Sequence, residues 1–460
     1  MSDRTTEAPT RHARSLRQPY QQYHQRSVPA EDAELTHTGP GTPCGEYMRR
    51  FWQPVAVSSE LKDMPLPVRL LGEDLVLFRT GDGRVGLLER HCSHRGTSLE
   101  FGRLEQNGLR CCYHGWLYDV DGTILETPGE ANPKALCGRV FHGAYPLHEF
   151  QGLIFAYMGP PEKKPAFPHF DIFDLPGDRL VPYAINTPCN WLQVHENAVD
   201  PAHGVFLHTI ISGTQFSTQF AKVPLMEFHE EPGGMFCVST RRVDDRVWVR
   251  INDALLPNLM RFAYAWEEAE QVLLFGRGSG TKWTVPLDDT NCRTIGWRHF
   301  GELSDPRKMG NEAEVGLETV DFMGQTADRP YDERQRVPGD FDAQVSQRPI
   351  AIHAREHLVA SDGGVTLLRR LLRQAVRDLA AGRDTTAVDV LSSGVVSTLG
   401  GDTVVIAPPQ PGVDDKVLMQ DVTARVLAIL TDPANGAGEA RRKRVQERLA
   451  KTFPGLGRIA

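Results

Sequence analysis

The sequence predicts an α+β protein with more than one domain, and three observations carry that reading. Residues 65–90, "PLPVRLLGEDLVLFRTGDGRVGLLER", set short apolar runs around a Gly-Asp-Gly turn, as a β-hairpin does. The pattern returns in "WLYDVDGTILETPG", with Asp121 and Gly122 at the turn. After a proline-rich stretch between Pro160 and Pro168 the texture changes, and helix-like and strand-like runs alternate to the C-terminus. A chain of 460 residues has room for about two to four cores. The expected division is an arm over 1–44, a β-rich domain over 45–165, a mixed domain over 166–395 and a C-terminal extension over 396–460.

Each element of the second half has its own signal. "NWLQVHENAVDPAHGVFLH" (190–208) predicts an irregular helix, because Pro201 fits a first turn and Gly204 loosens the turn after it. "MFCVSTRRV", "RVWVRI", "QVLLFGRG" and "TIGWRHF" read as strands, and 303–340 as a loop rich in charge, glycine and proline. "IAIHAREHLVASDGGVTLLRRLLRQAVRDLAAG" predicts two helical stretches split at Gly363 and Gly364. The extension holds a strand-like "TVVIAPP" and a basic helix, "EARRKRVQERLAKTF".

Composition narrows the function classes. A net charge of −8 argues against nucleic acid as a main partner, and no apolar run approaches the length of a bilayer span. The N-terminal "MSDRTTEAPTRHARSLRQPYQQYHQRS" lacks the apolar core of a signal peptide, so no membrane partner and a cytoplasmic location are expected. Eight cysteines in a chain of this length do not form a disulfide framework, and the clustered ones are candidate metal ligands.

"HCSHRGTSLEFGRLEQNGLRCCYHGW" (91–116) concentrates those ligands: Cys92-Ser-His94, sixteen residues, then Cys111-Cys-Tyr-His114. Two thiolates and two imidazoles from two loops suit tetrahedral zinc, or a [2Fe-2S] cluster with cysteines on one iron and histidines on the other. A zinc finger expects a cysteine pair and then a histidine pair on a helix. Here each loop supplies one of each. The pattern C-x-H-R-G…C-x-Y-H-G-W closely resembles the Rieske motif, which implies Cys92, His94, Cys111 and His114 as cluster ligands. Cys112 stands where Rieske proteins commonly carry proline, and is read as a packing residue; His91 lies outside the pattern.

"ENAVDPAHGVFLH" supplies a second set, Asp200, His203 and His208. Downstream of a Rieske motif, Asp-x-x-His-x-x-x-x-His resembles the iron-binding segment of Rieske non-haem iron oxygenases, oxygenase (alpha) subunits, in the phthalate dioxygenase-like branch. Residues five apart on a regular helix diverge by about 140°, so two iron-binding histidines here require an irregular helix. The resemblance takes the third ligand from much later in the chain, where "VPGDFDAQVSQRPIAIH" offers Asp340, with Asp342 as the alternative. It gives Asp200 another role, linking His114 of one chain to His203 of its neighbour. That implies a homotrimer, or a stacked homohexamer.

The resemblance extends to "HTGPGTPCGEYMRRFWQPVAVSSEL", "WTVPLDDTNCRTIGW" and "PGDFDAQVSQRPIAIHAREHL". It implies a Rieske [2Fe-2S] β-domain followed by an antiparallel-sheet helix-grip catalytic domain. It also implies a mononuclear Fe(II), O2 as co-substrate, and NADH-derived electrons from a flavin/[2Fe-2S] reductase, directly or through a ferredoxin. The expected substrate is an aromatic carboxylate, hydroxylated by ring dihydroxylation or monooxygenation; the alternative is O-demethylation of a methoxylated aromatic acid. Arg242 and Arg250, on predicted strands, are candidate anchors for a carboxylate, and Asn197 a further substrate contact. Two readings of other classes stand beside this one. A Rieske electron carrier would leave His203 and His208 idle. A zinc metallopeptidase would use "HAREH" (353–357), which matches H-x-x-E-H on a helix.

Overall fold

The computed structural model describes residues 16–25, 30–134, 136–263, 275–383, 386–392 and 394–453. Between Trp52 and Tyr157 the chain forms three small antiparallel sheets. One pairs Trp52–Val57 and Leu147–Phe150 with Leu153–Tyr157. A second joins Leu66–Leu70, Glu73–Arg79, Val85–Glu89 and Ala144–Tyr145, and its Gly-Asp-Gly turn lies where the sequence put it, with Arg79 opposite Val85. The third, Arg103–Glu105, Gly108–Arg110, Leu117–Tyr118 and Ile124–Glu126, brings Leu109, Tyr118 and Ile124 onto Val76, Phe78 and Leu88. Cys92 and Cys111 lie in that same apolar cluster, so the two loops that bear them are fixed by buried strands.

The second half is built on an eight-stranded antiparallel sheet. Its order is Arg179–Thr187, Asn291–Phe300, Gly280–Asp288, Leu259–Phe262, Arg246–Leu255, Gly234–Val243 and Leu225–Glu231. The eighth strand, Gly401–Ile406, pairs with Arg246–Leu255. Residues expected to begin an extension at 396 are thus part of this sheet, because Val404 and Val405 need the cover that the neighbouring strand provides. Helices Asp415–Leu430 and Gly438–Thr452 bury Val422, Val426, Val445 and Leu449 with Val238, Val247 and Val249 of the sheet. A third helix, Gly363–Ala380, buries Leu368, Leu372 and Val376, one face at four-residue spacing, in the main core.

Two expectations fail here. The predicted helix over 350–362 does not form; two short 3-10 turns, His353–Arg355 and Ala360–Asp362, precede the helix that starts at Gly363. His353 Nδ1 instead accepts from the Asp32 backbone, and Glu356 pairs with Arg369. The glycine pair marks a close approach rather than a helix break: a Cβ on Gly364 would collide with the Val199 carbonyl. The strand expected at "QVLLFGRG" falls partly outside the described residues, and Phe275–Gly278 is not a strand.

Candidate metal centres and active-site pocket

The two Cys/His loops have the same backbone plan. Cys92 N donates to Thr97 O at 2.9 Å and Gly96 N to Cys92 O at 2.8 Å; Cys111 N donates to Trp116 O at 2.8 Å and Gly115 N to Cys111 O at 3.1 Å. Gly96 and Gly115 each sit in the left-handed region (φ 74° and 75°), which explains the glycine four residues after each cysteine. The matched turns bring His94 and His114 together, ring centroids 4.4 Å apart, and His94 stacks on Trp116 at 4.8 Å. Cys92 and Cys111 are buried, whereas Cys112 is exposed. His91 turns away to Glu89, 3.0 Å distant.

Two observations test what this set can hold. His94 Nδ1 is buried with no hydrogen-bond partner among the described residues, as a nitrogen reserved for a metal would be. The four donors do not converge as a single zinc would require: among the described residues, one group alone has three donor atoms within 4.8 Å of one another, and it lies elsewhere. Two thiols and two paired imidazoles are the donor set of a Rieske two-iron cluster. Tyr118 and His142, which the sequence reading missed, complete the surroundings. The Tyr118 hydroxyl is 3.0 Å from Cys92 Sγ. His142 Nε2 faces the Glu89 carbonyl at 2.7 Å and so carries the proton, leaving Nδ1 to accept from Ser93 Oγ at 2.5 Å.

The convergent group is His203, His208 and Asp340. Its helix begins at Trp191, where Asn190 caps the Leu192 amide, and continues as a 3-10 turn over Asn197–Val199. The Asp200 side chain then caps a new helix, Pro201–Val205, by accepting from the amides of Ala202 and His203. From Phe206 to Ile211 the backbone is π-helical. Bonding from i to i+5 returns residues five apart to one face, the irregularity that this histidine spacing demands. The two rings stand 5.2 Å apart. Asp340 Oδ1 lies 3.3 Å from His208 Nε2 and 3.8 Å from His203 Nε2.

Hydrogen bonds behind the rings decide which nitrogens are free. His203 Nδ1 donates to the Asp200 carbonyl, and His208 Nδ1 to Gln215 Oε1 at 2.6 Å, so in each ring Nε2 is the nitrogen turned toward Asp340. Burial raises the Asp340 carboxyl, but the two imidazoles, His208 foremost, more than offset this and hold it well below the usual carboxylate range. Asp342 is otherwise engaged: it pairs with Arg334 at 2.6 Å and accepts from the Gly339 amide at 3.0 Å. Two histidines and a carboxylate on one side of a cavity form a donor set suited to Fe(II). The histidines of "HAREH" lie on no α-helix and join no such group among the described residues.

The cavity beside this group encloses about 840 Å³, counting its open mouth. Phe216, Phe220, Met260, Phe262 and Phe322 give it apolar walls, and Arg241, Arg250 and Lys282 bring positive charge. Arg242 is not among them: it points to the other face of its strand and pairs with Asp415. Side chains alternate along a strand, so the arginine on the cavity face is its neighbour Arg241, 2% exposed. Arg241 lies 4.7 Å over the Phe220 ring and donates from Nε to the Lys222 carbonyl, while its Nη1 has no partner among the described residues. Burial and then Arg250 push its guanidinium down to about 9, still protonated at neutral pH. Arg250 faces Asp402 at 3.5 Å. Asn197 reaches the cavity but donates to Asp340 Oδ1 at 3.1 Å.

Comparison with known proteins agrees with both halves of this description. The family model for the Rieske [2Fe-2S] domain matches residues 51–148. The chain is 47% identical over 369 residues to the tert-butanol monooxygenase / tert-amyl alcohol desaturase oxygenase subunit of Aquincola tertiaricarbonis, covering 76% of this chain and 77% of that one. It is 40% identical over 372 residues to the phenoxybenzoate dioxygenase subunit alpha of Ectopseudomonas oleovorans, covering 78% and 87%. The structure of NdmA from Pseudomonas putida CBB5 with caffeine shares the fold, with a TM-score of 0.57 at 20% identity over 78% of this chain and 99% of that one. A Rieske domain joined to a catalytic half with a candidate iron site defines a terminal oxygenase. This chain belongs to the Rieske non-haem iron oxygenases, as an oxygenase (alpha) subunit of the phthalate dioxygenase-like branch. It is accordingly an oxidoreductase with a Rieske [2Fe-2S] cluster and a mononuclear iron, supplied with electrons by a separate reductase or ferredoxin.

Proposed function

We propose that this oxygenase hydroxylates an anionic aromatic substrate, with Cys92, His94, Cys111 and His114 holding the cluster and His203, His208 and Asp340 the iron. The observation that carries the substrate class is Arg241, a buried guanidinium whose Nη1 has no partner among the described residues, in the cavity that contains the iron group. An unpaired buried cation is costly until an anion meets it, and a planar carboxylate matches its fork. The phenylalanines supply the surface on which an aromatic ring is stripped of water. Iron bound by the triad would supply the activation of O2 with electrons from the cluster. The protein's own part is to dock the acid on Arg241, hold the ring against Phe216 and Phe322, and keep both ligand imidazoles in the Nδ1-protonated form.

Asp200 is read as the link from His203 to His114 of a neighbouring copy. Its Oδ2, 4.0 Å from His203 Nδ1, is not used in capping and is partly exposed. Tyr113 beside His114, and Phe206 and Ile210 on the iron segment, are exposed, as surfaces buried in a homotrimer or stacked homohexamer would be. No described helix is long and apolar enough to cross a membrane, and a cytoplasmic site is part of this reading.

The 47% identity to a tertiary-alcohol oxygenase supports a second reading, a small neutral alcohol in the same cavity. Turnover of 3-phenoxybenzoate, 4-methoxybenzoate and tert-butanol with a reductase separates the two. The proposal expects product from an acid, and a loss of roughly 30- to 1000-fold in kcat/KM when Arg241→Met removes a buried charge partner. Turnover of tert-butanol alone, unchanged in Arg241→Met, would overturn it.

A further inference from the structure

Residues 321–326 reach the iron group directly through Gln325 and indirectly through Gln215, without supplying a ligand. Gln325 Nε2 donates to Asp340 Oδ2 at 2.7 Å. Asp340 Oδ1, the oxygen nearer the imidazoles, accepts instead from Asn197. The two amides therefore divide the carboxylate, one oxygen held toward the histidines and the other drawn away. On the far side, Gln215 bridges His208 to the same loop. Its amide nitrogen donates to the Met323 carbonyl at 2.8 Å, which leaves Oε1 to take the proton of His208 Nδ1.

Backbone contacts tie the loop to the helix that carries Asp340. The Phe341 amide donates to the Gly324 carbonyl at 2.9 Å. Gly324 (φ 81°) packs directly on Gly339, where a Cβ would collide with the Gly324 Cα, so neither position has room for a side chain. Asp321, paired with the buried Arg298 at 2.8 Å, anchors the start of the loop. Phe322, between that anchor and Gln325, lines the cavity and approaches Phe216 at 6.3 Å between centroids.

We propose that Gln325 and Gln215 are positioning residues that make this loop a clamp on the iron ligands. Gln325 keeps Asp340 presenting one oxygen, Gln215 fixes the His208 ring, and Phe322 lets whatever fills the cavity bear on both. The inference rests on reading His203, His208 and Asp340 as iron ligands. A carboxylate that turns both oxygens toward the metal takes a position that O2 or substrate would otherwise use, so the amide at 325 bears on reactivity as well as on affinity.

The test uses the full-length protein with its cluster intact, the cluster absorption serving as a check on folding. Fe(II) affinity is measured by titration, and the ferrous–nitrosyl EPR signal is recorded for wild type, Gln325→Leu, Gln215→Leu, Phe322→Ala and the Phe322→Ala/Gln325→Leu pair. Gln325→Glu replaces Gln325→Leu if the latter does not fold. The clamp predicts Fe(II) binding about 10- to 100-fold weaker in the glutamine variants, with an altered nitrosyl line shape. It also predicts that Phe322→Ala shifts the line shape in the wild-type background and not once Gln325 is gone. Native affinity and an unchanged signal in Gln325→Leu, or an equal effect of Phe322→Ala in both backgrounds, would overturn it. Wild-type protein that gives no nitrosyl signal would instead refute the iron site on which the inference rests.

Discussion

Neither ring nitrogen of His195 has a hydrogen-bond partner among the described residues, although the side chain is fully buried two positions before Asn197. Burial, and then the charge of Lys282, push its pKa down to about 3, against about 6.5 in an unfolded chain. Between those values the unfolded state binds a proton that the folded state does not. This residue therefore lowers stability as pH falls through the window, by up to about 1.4 kcal/mol per unit. His195→Phe should flatten the dependence of Tm on pH between about 6.5 and about 5; a slope equal to that of wild type would show that the imidazole is not held neutral. Arg241 teaches a related lesson about single residues. The sequence placed a cation on the right strand, but strand parity decides which of two adjacent arginines meets the cavity, and "TRRV" does not mark the inward one.

Among the elements, the short helix Asp340–Val345 offers two carboxylates with different work. Asp342 reaches back to the Gly339 amide and to Arg334, and Asp340 faces the histidines. Asp342→Asn is expected to cost about 0.5–2 kcal/mol of stability, as loss of a cap does, and to retain iron. Asp340→Asn should fold and lose the mononuclear iron, and iron analysis of the two variants distinguishes them. How much of this was legible depended on the range of the interaction. The hairpins and the Pro201 start are local, and the sequence announced them. The π-helical turn at Phe206–Ile211 was legible only as a requirement, since no residue there states i to i+5 bonding. The helix expected over "HAREH" was lost to a tertiary ion pair and a tertiary hydrogen bond that local periodicity does not contain. Gln215 and Gln325 carried no signal, because an amide acquires its role only from the groups that the fold sets against it.

Over the whole molecule, the two halves do different jobs with different structural means. The first holds four donors on matched loops over a small apolar core, and the second surrounds three donors with a sheet whose inner face is polar, cationic and aromatic. The sheet draws in chain from both sides of residues 203–208, including Gly401–Ile406, whose Asp402 stands against Arg250. The cavity's charge is therefore set by residues far apart in sequence, which is why composition could not place it. One chain that carries both a two-iron cluster and a separate iron has a fixed metal and sulfide content. Iron, zinc and acid-labile sulfide should be measured per chain on anaerobically purified protein supplied with Fe(II). About three irons and about two sulfides are expected, with iron alone falling to about two in His203→Ala. Zinc without sulfide, or an iron content that His203→Ala leaves unchanged, would contradict this expectation.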